Sequence, residues 1–183
     1  MAEKEQEQEV QSVANESTQD QNAQASENEA AAKIIVSKYT GWGAGAGVLP
    51  IPLWDIVAVG GVQVLMLKEL YQQYGVTFNE KKARSTVSVL LGSLSPALLL
   101  GITASTLLKF VPGVGSTLAM ASLPILASAS TYAVGKIMIK HLEQGGTLED
   151  FDAKEHKEEF NESVESAKEN ASKAKKSAKA TTA

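Results

Sequence analysis

The sequence predicts an all-α protein: a membrane-associated bundle of two helical hairpins followed by a charged C-terminal helix. Three observations carry this. First, the only charge between Arg84 and Lys136 is Lys109, which leaves 24 uncharged residues before it (85–108) and 26 after it (110–135). As helices these would be roughly 36–39 Å long, against a hydrocarbon core of about 30 Å. Second, helix-stopping residues interrupt the apolar sequence in two clusters, Pro50 and Pro52 in the first and Pro112, Gly113 and Gly115 in the second. Third, small residues recur every four positions, at Ser93, Ala97, Gly101 and Ser105 and again at Ala127, Thr131 and Gly135. That spacing lines them up on one helix face, where helix backbones can approach closely in lipid or pair with a second copy.

Taken in order, residues 1–32 hold eight acids and one lysine, no aromatic residue and almost no large aliphatic one. A segment of this kind cannot bury enough apolar surface to offset its chain entropy, so a disordered acidic N-terminal tail is expected. Residues 33–146 are expected to form an apolar four-helix membrane domain. Its first helix covers Ala30–Leu49 and its second runs from about Trp54 to Tyr74, with Gly75 as the stop. Pro50 and Pro52 form the tip between them, because each lacks an N–H and restricts the residue before it. The second helix is apolar on all sides at first and turns polar on one face from Gln63. Each arm holds too few strongly apolar residues to span reliably, so this hairpin either inserts shallowly or stays outside.

Asn79 is placed to cap a third helix, which the uncharged run carries to Leu108. The fourth helix follows the turn, and Pro96 and Pro124 lie inside the two helices as expected kinks. Lys81, Lys82 and Arg84 at one outer end and Lys136 and Lys140 at the other suit anchors at a cytoplasmic interface, which places both ends of the hairpin on that side. Thr147-Leu-Glu-Asp150 resembles a capping box opening a charged helix over 148–172, with Leu148, Phe151, Phe160 and Val164 as its apolar stripe. Residues 147–183 are thus expected to be a charged helix and a flexible basic tail that touches anionic lipid or stays solvated.

Little in the chain carries catalytic or ligand chemistry. There is no cysteine, hence no disulfide, thiol nucleophile or thiolate metal site. His141 and His156 stand fifteen apart without a metal-ligand pattern and read as surface residues. Gly41-Trp-Gly-Ala-Gly-Ala46 formally matches a dinucleotide-binding pattern, yet Pro50 and Pro52 cut off the helix that should receive the pyrophosphate. Asp55 is the one acid within the apolar regions; an intramembrane carboxylate is a functional candidate, but at a helix start its capping role is favoured. With no apolar run before Ile34, a secretory signal is not expected. No enzyme activity, cofactor, metal or nucleic-acid partner is expected.

The arrangement Val48-Leu-Pro-Ile-Pro-Leu-Trp-Asp55, continuing through Gln63-Val-Leu-Met-Leu-Lys-Glu-Leu70 to Tyr74-Gly75, leads into the Gly/Ala/Ser-rich hairpin that ends Thr131-Tyr-Ala-Val-Gly135. Over about residues 33–146 it resembles the family of YcjF-like inner-membrane proteins. That domain, of unknown function, also occurs behind Era-like or dynamin-like GTPase domains. The resemblance implies a bacterial inner-membrane, all-α domain acting with a GTPase in trans, and supplies no catalytic residues. The expected function is a non-enzymatic membrane scaffold or anchor, self-associating and shaping the bilayer, with both tails cytosolic. Two other classes stay open: a small channel or transporter, and a soluble all-α oligomeric adaptor that buries its apolar helices.

Overall fold

The computed structural model describes residues 23–42, 54–95 and 115–181. These form five helices and, among the described residues, no strand: α1 (23–42), α2 (Trp54–Gln73), α3 (Glu80–Gly92), α4 (Gly115–Glu143) and α5 (Lys157–Thr181). The all-α class read from the sequence is the observed one.

The first helix already runs at residue 23, inside the stretch whose charge balance suggested disorder. Ala32, Ile35 and Val36 give it a buried face. Two ion pairs brace its outer side, one within the helix between Lys33 and Glu29 and one across to α2, where Lys38 meets the Glu69 carboxylate at 2.6 Å. Contacts fix the helix directions. Lys38 meets Glu69 and Asn28 meets Gln73, so α1 and α2 are antiparallel, the first expected hairpin. Gln63 meets Ser130, and Tyr71 meets Met138, so α2 and α4 run parallel.

Helices α2 and α4 end by the same device. Gly75 (φ +66°) and Gly145 (φ +78°) take the left-handed conformation that glycine tolerates best. Val76 N–H then donates to the Tyr71 carbonyl at 2.9 Å and Gly146 N–H to His141 at 2.9 Å, each the long bond of a Schellman turn. Asn79 caps α3 as expected, its side chain accepting from Lys82 N–H.

Two elements depart from the sequence reading. Helix α3 ends at Gly92, far short of Leu108. Ser93, expected within a membrane-length helix, is instead its C-cap and donates its hydroxyl to the Leu90 carbonyl at 2.6 Å. The helix stops ahead of Pro96, whose ring disfavours helical backbone just before it. Asn161 of α5 then holds the exposed end, donating to the Ser93 carbonyl at 2.9 Å and accepting from Ser95 N–H at 2.8 Å. The charged helix begins at Lys157 rather than 148. Asp150 Oδ1 accepts from both the N–H and the hydroxyl of Thr147, and Asp152 Oδ1 accepts from Lys154 N–H, so local side-chain bonds make successive turns in place of helix.

The apolar stripe survives this change. Leu148 and Phe151 in the turns, and Phe160 and Val164 on α5, are all buried in one cluster with Leu67, Leu70, Tyr71, Leu90, Val134, Ile137 and Met138. The core therefore includes residues on both sides of 146.

Candidate functional site

Where the chain leaves this bundle is the feature most relevant to function. Because α1 is antiparallel to both α2 and α4, the end of α1 and the starts of α2 and α4 lie at the same end of the molecule. Helix α3 runs back to that end too: Val87 and Leu91, in its last turns, lie against Gly60 in the first half of α2. The connections 43–53 and 96–114 thus depart from one end, and Lys109 is the only charge in either. Pro50, Pro52, Pro112 and Gly113, the expected tip residues, lie in these connections outside the described residues, as do Ala97, Gly101 and Ser105. Gly115, expected in the second turn, opens α4.

An aromatic platform borders this end. One turn beyond the Lys38–Glu69 pair come Trp42 on α1 and Leu65 on α2, 61 % and 52 % exposed. The Trp42 ring packs on Tyr39 at 5.9 Å between centroids, and Lys38 Nζ lies 4.7 Å from the centre of the Tyr39 ring. Asp55 occupies the second position of α2; its side chain is outside the described residues.

The second small-residue row faces inward. Gly135 meets α1: a Cβ there would lie 2.5 Å from Val36 Cγ2. Thr131 is fully buried against α2, and the Ala127 carbonyl accepts from the hydroxyls of both Ser130 (3.0 Å) and Thr131 (2.8 Å). Their oxygens in turn receive the amide of Gln63, at 3.3 Å and 3.5 Å, while Gln63 Oε1 is buried with no partner. Gln63, which read as the start of a polar face, is completely buried. The signal it lacked is on another helix, where adjacent hydroxyls of α4 receive it.

The cationic residues lie toward the opposite end. Lys81 and Arg84 are exposed and Lys82 half-buried on the first turns of α3, with Arg84 held by Glu80 at 2.7 Å. Lys136 and Lys140 project from the last turns of α4, Lys140 pairing with Glu159 at 2.9 Å. Lys136 lies where two open grooves of about 370 and 380 Å³ meet, one between α1 and α4 and one between α4 and α5, sharing Thr40 and Tyr132 with it.

The histidines are not simple surface residues. Both histidines pack against buried Phe151, His156 stacked at 4.6 Å and 7° and His141 T-shaped at 5.0 Å and 77°. His141 Nε2 also lies 2.8 Å from the Thr147 carbonyl, and Gly146 is packed so closely on that ring that no side chain fits. These contacts tie the 144–156 turns to α4 and α5. Among the described residues no group of histidine and carboxylate side chains could hold a metal, and no helix is long and apolar enough to cross a membrane.

A 144-residue match at 34 % identity, spanning 79 % of this chain and 74 % of the relative, is to a protein named "Magnetosome membrane protein 22" from Magnetospirillum gryphiswaldense. No solved structure matches. The family model for the domain of unknown function DUF697 covers residues 8–169, nearly the whole of this sequence, and the chain belongs to that family.

Proposed function

We propose that this protein is a non-enzymatic membrane scaffold or anchor, in which the helical bundle stands against one face of a bilayer and the chain between α3 and α4 enters the lipid. The observation that carries this reading is the departure of both uncharged connections from one end of the bundle. A buried carbonyl or N–H has no water to pair with in hydrocarbon, so inserted chain must be helical or covered by protein. Connection 96–114, extended by the start of α4, has the length and composition for a helical hairpin in lipid. The relative's name, a magnetosome membrane protein, supports the same reading.

The finer proposal places the protein in a bacterial inner membrane with both tails cytosolic. The cations at the far end of the bundle, Lys81, Lys82, Arg84, Lys136 and Lys140, would then lie on the positively charged side. Self-association would use Ala97, Gly101 and Ser105, since Gly135 and Thr131 are occupied within the chain. A GTPase acting in trans is the partner that the YcjF-like resemblance suggests.

Alkaline carbonate washing of membranes from expressing cells tests the reading. Retention in the pellet, with release only by detergent, is expected. Release into the supernatant would favour the other reading, an all-α adaptor whose apolar connections pack on one another or on a second copy. The observation on that side is that no described helix is long and apolar enough to span.

A further inference from the structure

Trp42 and Leu65 are exposed large apolar side chains on adjacent antiparallel helices, each one turn beyond the Lys38–Glu69 pair. Trp42 is the last residue of α1, and the uncharged connection 43–53 begins directly after it. The only other tryptophan, Trp54, is the first residue of α2 at the far end of the same connection. Both tryptophans of the chain therefore sit at the boundary between the bundle and the segment that leaves it. Behind Trp42 the support is built: Tyr39 carries its ring, Lys38 covers the other aromatic ring, and the Lys38–Glu69 pair closes the polar side.

We propose that Trp42, Tyr39 and Leu65 form a docking surface for the headgroup region of a lipid bilayer, fixing the depth to which the bundle sits. Tryptophan suits that layer because its broad ring prefers the acyl boundary while its indole N–H finds phosphate or water. Lysine beside it keeps its charge in the polar layer while its stem lies along the apolar surface. A second copy of the chain would have to cover a ring at the root of the connections, where inserted chain would obstruct it. This placement rests on the proposed membrane reading and adds a level to it: the bundle is outside, and its lower edge is wetted by headgroups.

The test uses the full chain in vesicles of phosphatidylcholine and phosphatidylglycerol. Trp54→Phe leaves Trp42 as the sole tryptophan, and acyl chains brominated near the headgroup or near the methyl end report its depth. Stronger quenching by the shallow label is expected. Stronger quenching by the deep label, or no quenching while the protein still floats with the vesicles, would overturn the docking surface and leave the anchor reading intact. Failure to float would overturn both. Because the chain has no cysteine, Leu65→Cys carrying an environment-sensitive dye gives an independent reading should the tryptophan variant misfold. Its emission should shift to the blue on vesicle addition, and an unchanged spectrum on floated protein counts against the surface.

Discussion

Gly135 has no room for a side chain. A methyl group there would overlap both γ-carbons of Val36, at 2.5 and 2.8 Å, and both sit on packed helices. Gly135→Ala should therefore lower stability by about 1–3 kcal/mol, read from the midpoint of urea unfolding. Adding Val36→Ala should return part of that loss, the sign of direct contact. Gln63 presents the opposite case. Its two long amide bonds stabilise little, its carbonyl is orphaned, and Ser130 and Thr131 keep the Ala127 carbonyl as acceptor without it. Gln63→Leu should raise stability by about 1 kcal/mol in the same assay. At Asp150, hydrogen bonds from the Thr147 hydroxyl and N–H hold the carboxyl down to about 2 from 3.8. Its folded pKa is depressed, so its contribution is present above about pH 4 and is lost as the pH falls toward 2. Carboxyl NMR titration should find the low value, and Thr147→Ala should move it back toward the ordinary range. The small-residue spacing that marks Gly135 was readable in the sequence; that its neighbour would be Val36, ninety-nine positions earlier, was not.

At the level of elements, caps were easier to read than lengths. Asn79 and Gly75 carry their geometry in their own residue type, and each lies where its chemistry predicts. The end of α3 does not, because the uncharged run continues past it without a break in composition. What ends it is Pro96 ahead and Asn161 from a helix sixty-eight positions beyond Ser93. Asn161→Ala should leave the Ser93 carbonyl and the Ser95 N–H without that partner and cost about 1–3 kcal/mol. Faster amide exchange over the last turn of α3, with the first turns unchanged, would locate the loss; uniform exchange would argue against it. The charged helix was misplaced at its start for a related reason. Thr147 and Asp150 have the residue types of a cap, and they do bond to each other, but no helix follows until Lys157. A capping signature states that a turn begins, and only the following residues decide whether it propagates.

For the whole molecule, the parallel course of α2 and α4 sets the functional geometry. It roots the two connections at one end and leaves Lys81, Lys82, Arg84, Lys136 and Lys140 toward the other. A charge placed in the middle of 96–114 should thus act on membrane attachment and not on the bundle. Ile102→Glu is expected to release the protein during carbonate washing, since a carboxylate at the centre of a hydrocarbon layer costs roughly 2.5–3.5 kcal/mol. Helicity by circular dichroism should stay close to that of the parent chain; a collapse of helicity would instead mean that these residues belong to the core. The helical class and the uncharged spans were legible because period and composition are local. That both connections are rooted at one end of the bundle was not, since it depends on pairings such as Lys38–Glu69 and Tyr71–Met138 between distant helices.

The Asn161 bridge has one more consequence. It clamps the root of connection 96–114 to the first turns of α5, so the charged C-terminal helix and the uncharged loop share a latch. A protein that gripped α5 and peeled it from α4 would, in the same movement, unfasten the place where the loop starts. Trimming the C-terminus back beyond this asparagine would do so permanently. The charged helix thereby becomes a handle by which an event in the aqueous phase can be felt where the loop begins.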